Sequence, residues 1–346
     1  MKKMILIFTA ALVSAGCMEP LSPQHSTQLI RTEIRKTIGK PTGEITKEDY
    51  RKITELSVKY SLPPDSPLFS TTYGITDLSL LGEAKNLEKL VLRRNCINDL
   101  SPLADLNELR ELSLSDNRIT DLSALKGLTK LEYLTLNKNK FYNIKPLKNL
   151  NGLRKLDLSN NRLSAFSALE QLTKLESLTL NNCNCPNIQP LENLSNLKGV
   201  GLGGNRISDL SPLEQLKGLE RLYIPRNCIT NLNSFVKFPE LRELDLSHNQ
   251  IADLAQLEGL KKLKKLWLSG NQITNLAPLA GLKELRELHL EDNPSLTEEE
   301  VNKLKRALPR KFFGGPKCKI YHNITQPPAP PENNPNKLKL LAGGAS

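Results

Sequence analysis

The chain has 346 residues, of which 25% are charged and 38% hydrophobic, and its formal net charge is +11. A basic balance of this size is compatible with nucleic acid, anionic lipid or an acidic protein as the partner. The N-terminal apolar run from Met4 to Val13 is too short to cross a bilayer as a mature helix, which excludes a membrane span there.

The first seventeen residues have the order of an export signal. A positive start at Lys2 and Lys3 precedes the apolar run, and Ser14-Ala15-Gly16 places small residues before Cys17. This order resembles a bacterial lipoprotein signal, which implies removal of residues 1–16, lipidation of Cys17 and a mature net charge of +9. Ser14 departs from the usual leucine, so cleavage near Ala15 to give a secreted protein is the alternative. The predicted location is the cell envelope, at the outer membrane in a Gram-negative cell.

The next segment predicts a tether followed by a helical cap. Residues 17–27 include Pro20, Ser22 and Pro23 and are interpreted as the tether. Residues 28–56 are interpreted as the cap, because apolar side chains recur at helical spacing until Gly39 and Pro41. A second helix is predicted from Thr46, where Asp49 stands three residues on, as in a capping box. The apolar side chains of the first helix are Leu29, Ile30, Ile34 and Ile38.

One frame of 22 residues then repeats ten times and predicts the architecture. Leucines two apart, such as Leu90 and Leu92, predict a short strand with one buried face, and leucines three apart, such as Leu100 and Leu103, predict a tight 3-10 turn. A single coil cannot bury these side chains, so the coils must stack as a solenoid. The ninth residue of the frame, counted from its first leucine, is Asn95, Asn117, Asn139, Asn161, Cys183, Asn205, Asn227, Asn249, Asn271 and Asn293.

These positions define coils one to ten, and their asparagines are predicted to be structural. Each amide has two donors and an acceptor for backbone groups that the turn leaves unpaired. Stacked copies therefore form a ladder, and loss of one rung costs about 1–3 kcal/mol. Cys183 is a weaker donor, so coil five is predicted to be the soft rung.

The frame L-x-x-L-x-L-x-x-N-x-I-x-D-L-S-P-L, nearly complete at Leu87–Leu103, resembles the 22-residue leucine-rich repeats of bacterial internalins. The resemblance implies an α/β fold: a right-handed horseshoe with a parallel sheet on its concave face, 3-10 turns on its convex face, and a protein-binding role. The repeat domain is predicted over residues 57–296. Its first coil is interrupted between Ser61 and Tyr73, where the insertion is either a plain surface loop or a contact loop.

The C-terminal part is predicted to be a second cap and a tail. Thr297 and Glu300 form a capping box that opens a helix within a cap over residues 297–323, and the Pro- and Asn-rich residues 324–346 are predicted to be disordered. The basic cluster of this cap is interpreted either as a solvated helix face or as a contact for anionic lipid or lipopolysaccharide phosphates. It lacks an aromatic stacking platform, which argues against nucleic acid.

The cysteines predict neither a disulfide nor a metal site, and no cofactor is expected. Cys183 and Cys185 fill buried frame positions and act as small hydrophobic side chains. Cys96 and Cys228 share an exposed frame position, but six coils place them roughly 30 Å apart, beyond disulfide reach.

Function is predicted from the residues on either side of the second leucine, which point out of the concave face. Coil six has only glycine there and is predicted to leave a dent with exposed backbone at Gly201. Coils seven to ten carry aromatic and charged side chains instead, and Trp267, the single tryptophan, is predicted to face solvent. The predicted contact residues are Tyr223, Asp245, Trp267 and His289, flanked by Arg221, Glu243, Lys265 and Glu287. The alternative is that these charges only pair across strands and the aromatics pack on neighbours.

The leading hypothesis is a non-enzymatic, monomeric, lipid-anchored protein that binds a protein ligand on its concave face. The alternative is a polysaccharide or peptidoglycan binder, favoured by outward amides at Asn137, Asn160, Asn181 and Asn182. Catalysis is not expected, because no nucleophile-base or paired-carboxylate arrangement stands outside the frame, and Asp245 near His289 is interpreted as a chance pairing.

Overall fold

The computed structural model describes residues 19–58, 73–309 and 318–323. Its main feature is one parallel sheet of twelve three-residue strands within the described residues, in which each coil pairs with the next. A separate pair joins β1 to β3. The strands are β1 (Glu19–Pro20), β2 (Glu55–Ser57), β3 (Tyr73–Gly74), β4 (Lys89–Val91), β5 (Glu111–Ser113), β6 (Tyr133–Thr135), β7 (Lys155–Asp157), β8 (Ser177–Thr179), β9 (Gly199–Gly201), β10 (Arg221–Tyr223), β11 (Glu243–Asp245), β12 (Lys265–Trp267), β13 (Glu287–His289) and β14 (Lys319–Tyr321).

Each coil before coil ten returns through a short 3-10 segment on the convex side, as the leucine spacing predicts. In every segment except that of coil four, the residue two positions before the segment caps the turn with its side chain: Asp99 Oδ1 accepts from the Ser101 N–H at 2.8 Å, and Asn275 Oδ1 accepts from the Ala277 N–H at 2.9 Å. The segments are Ser79–Glu83, Ser101–Leu103, Ser123–Leu125, Lys145–Asn149, Ser167–Gln171, Gln189–Leu191, Ser211–Leu213, Asn233–Lys237, Ala255–Gly259 and Ala277–Gly281. Strands and turns enclose a continuous leucine core that runs the length of the solenoid.

The asparagine ladder is confirmed and binds each coil to its neighbours. Asn227 Nδ2 donates to Leu202 O at 3.0 Å in the preceding coil and to Ile224 O at 3.1 Å in its own. Its Oδ1 accepts from the N–H groups of Asn205 and Ile207 at 3.1 and 2.9 Å. The amide therefore satisfies buried backbone groups on both sides of the interface between two coils.

Coil five departs from this ladder. Cys183 is fully buried, and its Sγ donates to Leu158 O at 3.2 Å, where an asparagine amide would stand. The sulfur has no amide oxygen to offer the coil below, so the Leu163 N–H donates to the Cys183 carbonyl at 3.3 Å. Burial raises the pKa of the Cys183 thiol to about 12, so it stays protonated and acts as a weak donor.

The N-terminal cap differs from the prediction at its start. Helix α1 spans Pro23–Ile38 and is capped by Ser22, so residues 23–27, predicted as part of the tether, are helical. Ser22 and Pro23 mark the start of a helix here, because serine is a common N-cap residue and proline fits the first helical turn. Ser26 is buried and its Oγ accepts from the Thr76 N–H at 3.0 Å. These contacts tie the start of α1 to the interrupted coil that precedes coil one. Because β1 already pairs with β3 from Glu19 onward, the predicted tether can extend no further than residue 18.

Helix α2 (Lys47–Arg51) begins with the predicted capping box. The Thr46 N–H donates to Asp49 Oδ2 at 3.0 Å, and the Asp49 N–H donates to Thr46 Oγ1 at 3.3 Å. The hydrogen bond from Lys40 is the largest cause that lowers the pKa of Asp49 well below the usual carboxyl range. The hydrogen bond from the Thr46 N–H is the next largest. The predicted insertion between Ser61 and Tyr73 lies outside the described residues except for Tyr73.

The C-terminal end contains helix α3 (Glu298–Ala307), capped by Thr297 as predicted, and strand β14, which was not predicted. β14 extends the sheet by one strand beyond coil ten. Within the described residues no helix is both long and apolar enough to traverse a bilayer.

None of the five cysteines of the described residues forms a disulfide. Cys96 is buried, which corrects its predicted exposed position. The reason is the close approach of the N-terminal coil: the Cys96 N–H donates to Ile75 O at 2.9 Å, and a Cβ on Gly74 would lie 2.7 Å from Cys96 N.

Candidate functional site

The strand register aligns the outward side chains of successive coils into columns along the concave face. In the column that follows the buried leucine, Tyr223 stands opposite Asp245, Asp245 opposite Trp267, and Trp267 opposite His289. β14 adds Tyr321 opposite His289. The structure thus brings together the four predicted contact residues of this column and adds a fifth.

Four of these side chains form an aromatic column: Tyr223, Trp267, His289 and Tyr321. The rings of His289 and Tyr321 stack at 4.4 Å between centroids, those of Trp267 and His289 stack at 5.9 Å, and Tyr223 tilts against Trp267 at 6.4 Å. Trp267 is therefore half-buried, not fully solvent-facing as predicted, because its neighbours cover its faces. Tyr321 is 41% exposed. Sequence reasoning missed Tyr321, although Lys319-Ile320-Tyr321 repeats the strand alternation of the frame.

The flanking charges hold the aromatic column in place. Glu243 accepts the Tyr223 hydroxyl hydrogen bond and pairs with Lys265 at 3.4 Å, and Lys265 Nζ lies 6.0 Å from the Trp267 ring centre. Burial, together with the hydrogen bond to Glu243, raises the pKa of Tyr223 to about 12. Burial also acts to raise the pKa of Glu243, but the Tyr223 hydroxyl and the Lys265 charge outweigh it and lower that pKa.

At the C-terminal end of the column, His289 is held between two carboxylates. Its Nε2 lies 2.9 Å from Glu287, and its Nδ1 lies 3.3 Å from Glu291, which also accepts from the Ser269 hydroxyl. Asp245 uses one oxygen to accept from the Ser247 N–H at 2.9 Å. His289 and Asp245 thus have separate partners, and the residues that the structure describes contain no His/Cys/Asp/Glu group able to hold a metal ion.

Arg221 differs from the other predicted contact residues, because it is exposed and borders coil six. Its guanidinium lies beside Gly199, 3.6 Å from where a Cβ would stand, and pairs with Glu220 at 3.5 Å. The predicted dent with exposed backbone is wrong: Gly199 and Gly201 are buried. Neighbouring side chains fill the space that the missing Cβ atoms leave, since a Cβ on Gly201 would come within 2.9 Å of Thr179.

The N-terminal half of the concave face is a polar surface. A cavity of about 430 Å³ opens over coils two to four, and Tyr133, 45% exposed, stands at its edge. Its floor is a hydroxyl network in which Thr135 Oγ1 lies 2.8 Å from Ser113 Oγ and 3.1 Å from Ser115 Oγ. Ser115 also donates to Asn137.

The other outward amides of this half are occupied within the protein. Asn181 Oδ1 accepts from the Gly203 N–H at 2.7 Å, and Asn182 Nδ2 donates to Asn160 Oδ1 at 3.0 Å. They stiffen the turns between coils four and six.

Family models match most of the repeat region. The model described as leucine-rich repeats (2 copies) matches residues 107–152, 151–196, 239–280 and 261–305, and a leucine-rich-repeat model matches 195–251. Together these matches run continuously from residue 107 to 305, which is more than half of the chain. No curated protein sequence matches.

Solved structures with the same fold include three bacterial proteins. The internalin InlF of Listeria monocytogenes is 26% identical with a TM-score of 0.58, and the match covers 88% of this chain and 98% of that one. The functional domain of InlJ from the same species is 22% identical with a TM-score of 0.67, over 85% and 68% of the two chains. A leucine-rich-repeat protein of Leptospira interrogans is 23% identical with a TM-score of 0.54, over 72% and 82%. The chain therefore belongs to the leucine-rich-repeat family, and its repeats are internalin-like.

Proposed function

We propose that this chain is a non-enzymatic protein-binding module of a bacterial cell envelope that recognises a protein partner with the aromatic column. The observation that carries the proposal is the run of contacting rings Tyr223, Trp267, His289 and Tyr321 on the C-terminal half of the concave face. Large aromatic side chains dominate binding energy in protein interfaces when they stand in a rigid, well-packed surround.

The rigidity of the column favours binding over a purely structural role. Each ring is fixed by a neighbouring ring or by a charged side chain, so little side-chain entropy is lost when a partner covers the surface. The edge at Tyr321 is still exposed and offers hydrophobic area beside the charges of Glu287 and Lys319. A partner of mixed charge with an apolar anchor fits this arrangement.

The envelope location rests on Cys17, which lies outside the described residues. Multiple acylation at this cysteine would hold the mature chain firmly to a membrane, while α1 and α2 cap the solenoid at the membrane-proximal end. Metabolic labelling with a fatty-acid analogue tests this point. Label that is lost in Cys17→Ala supports lipidation, and equal label in both proteins refutes it.

The binding site is tested with two matched aromatic substitutions. Trp267→Ala removes the centre of the aromatic column, and Tyr142→Ala removes a tyrosine that is 64% exposed outside the concave sheet. A photoreactive residue at position 267 identifies the partner in intact cells, and the affinity of the purified pair is then measured. Loss of at least about tenfold in affinity for Trp267→Ala alone is the expected hot-spot effect. Equal affinities of both variants and wild type would refute the site.

A second candidate function is polysaccharide binding in the N-terminal half. The cavity over coils two to four favours it, because it combines an exposed ring at Tyr133 with hydroxyl groups of Ser113, Ser115 and Thr135. The two functions are separated by a glycan array: glycan binding that Tyr133→Ala abolishes and Trp267→Ala leaves intact supports the second candidate.

A further inference from the structure

A second, charged column runs along one edge of the sheet, formed by the residue that precedes each strand from coil one to coil ten. In coils one to six its members alternate in sign and pair across neighbouring coils. Arg110 lies 3.6 Å from Glu88 and 3.1 Å from Glu132, and Arg154 lies 3.6 Å from Glu132 and 2.7 Å from Glu176. The whole column is Glu88, Arg110, Glu132, Arg154, Glu176, Lys198, Glu220, Arg242, Lys264 and Arg286.

The signs alternate as far as Glu220 of coil seven and Arg242 of coil eight and then stop alternating, so the last three coils present a cation row: Arg242, Lys264 and Arg286. The backbone ladder places these residues on adjacent coils, since the Lys264 N–H donates to Arg242 O at 2.7 Å and the Arg286 N–H donates to Lys264 O at 2.8 Å. Neighbouring strands stand about 4.8 Å apart, and like charges at this separation repel each other. Within the described part of the chain, none of the three side chains forms an ion pair.

The nearby acids of these coils are mostly engaged elsewhere. Glu240 pairs with Lys262 at 2.6 Å, Glu243 with Lys265 at 3.4 Å, and Glu287 with His289 at 2.9 Å. Glu284 is exposed and stands two residues before Arg286. The last three coils thus carry three consecutive cations with no acid between them in this column.

We propose that the cation row is a binding site for a linear anionic polymer that carries phosphate or sulfate groups, separate from the aromatic column. Guanidinium groups bind such oxyanions with two parallel hydrogen bonds, and Arg242 and Arg286 stand at the two ends of the row. An oxyanion between neighbouring cations replaces their repulsion with attraction. The same column in coils one to six cannot bind it, because its cations are paired with carboxylates.

The shape of the row selects a polymer over a membrane surface. The three cations follow one another along the solenoid axis in single file, at the edge of the concave sheet. The columns beside them each contain two acids and one base over the same coils, so the row is bordered by acidic columns: Glu240, Lys262 and Glu284 on one side, and Glu243, Lys265 and Glu287 on the other. A flat anionic bilayer favours a broad basic surface, whereas a chain with regularly spaced charges can follow a narrow row.

The test uses one substitution that repairs the alternation. Lys264→Glu places a carboxylate between Arg242 and Arg286, as in the earlier coils, so the variant is expected to be at least as stable as wild type. Lys126→Glu is the control, because it makes the same charge change at an exposed position on the convex side. Both proteins and wild type are titrated with dextran sulfate, inorganic polyphosphate, neutral dextran and vesicles of phosphatidylcholine with phosphatidylglycerol.

The expected result is binding of wild type to dextran sulfate or polyphosphate that weakens as salt rises, and loss of at least about tenfold in affinity for Lys264→Glu alone. Which of the two polymers binds more tightly tells whether sulfate or phosphate is preferred. Equal losses in both variants would show that net charge alone is responsible and overturn the site. Absence of polymer binding by wild type, or binding to the vesicles only, overturns it as well.

Discussion

Replacing Cys183 with asparagine is expected to repair the one altered rung of the ladder and to stabilise the protein. The next rung shows what an asparagine gains here: Asn205 Nδ2 donates to Leu180 O and Leu202 O at 2.8 Å each, and its Oδ1 accepts from two N–H groups of coil five. Cys183 provides one good contact, from Sγ to Leu158 O at 3.2 Å.

Cys183→Asn adds one hydrogen bond, from Nδ2 to Leu180 O, and its Oδ1 takes over the Leu163 N–H, which already donates to the Cys183 carbonyl at 3.3 Å. One added hydrogen bond contributes about 0.5–1.5 kcal/mol net, so the free energy of unfolding should rise by about that amount. The backbone around residue 183 already has the conformation found around an asparagine rung. The residues on either side of Cys183 have φ of 54° and 59°, and those on either side of Asn205 have φ of 69° and 63°.

The assay is urea unfolding followed by circular dichroism, with hydrogen exchange to localise the effect to coils four to six. Cys183→Ala is the matched control, because it removes the thiol without adding an amide, and it should be no more stable than wild type. If Cys183→Asn and Cys183→Ala have the same free energy of unfolding at unchanged m value, the hydrogen-bond reasoning is refuted.

Three further predictions concern a rung, a cap and the thiols. Asn271→Ala should lower the free energy of unfolding by about 1–3 kcal/mol in urea titration, because it leaves the buried Ile251 N–H, which donates to Asn271 Oδ1 at 3.0 Å, without its acceptor; a loss below about 0.5 kcal/mol would contradict this. The largest cause of the lowered pKa of Asp49 is its hydrogen bond with Lys40. The ionised Asp49 therefore stabilises the folded protein fully above the unfolded pKa of about 3.9, and this stability is lost as pH falls through the lowered folded-state pKa. Asp49→Asn should therefore weaken the loss of stability in acid, and an unchanged acid profile would count against the capping argument. Burial raises the pKa of Cys185 to about 12, so alkylation of the native protein at pH 8 should modify the half-buried Cys228 first, as peptide mass mapping would report. Equal rates at both cysteines would show that the core is open.

The sequence by itself determined the solenoid and its ladder. The 22-residue period fixes which leucines turn inward, because a three-residue strand with alternating faces has a single register once its central leucine is buried. It also fixes the asparagine position, since one buried amide per coil must satisfy the turn. The same frame predicted which side chains point out of the concave face.

Only the tertiary structure decided how the outward side chains interact. The frame says that Gly201 has no side chain, but the burial of its backbone depends on Thr179 in the neighbouring coil. β14 follows residues outside the 22-residue frame, so Tyr321 joins the aromatic column only through strand pairing with β13. Likewise Ser22 and Ser26 look like linker residues until contacts with the first coil order them. In each case the deciding contact joins residues distant in sequence, which a local pattern does not encode.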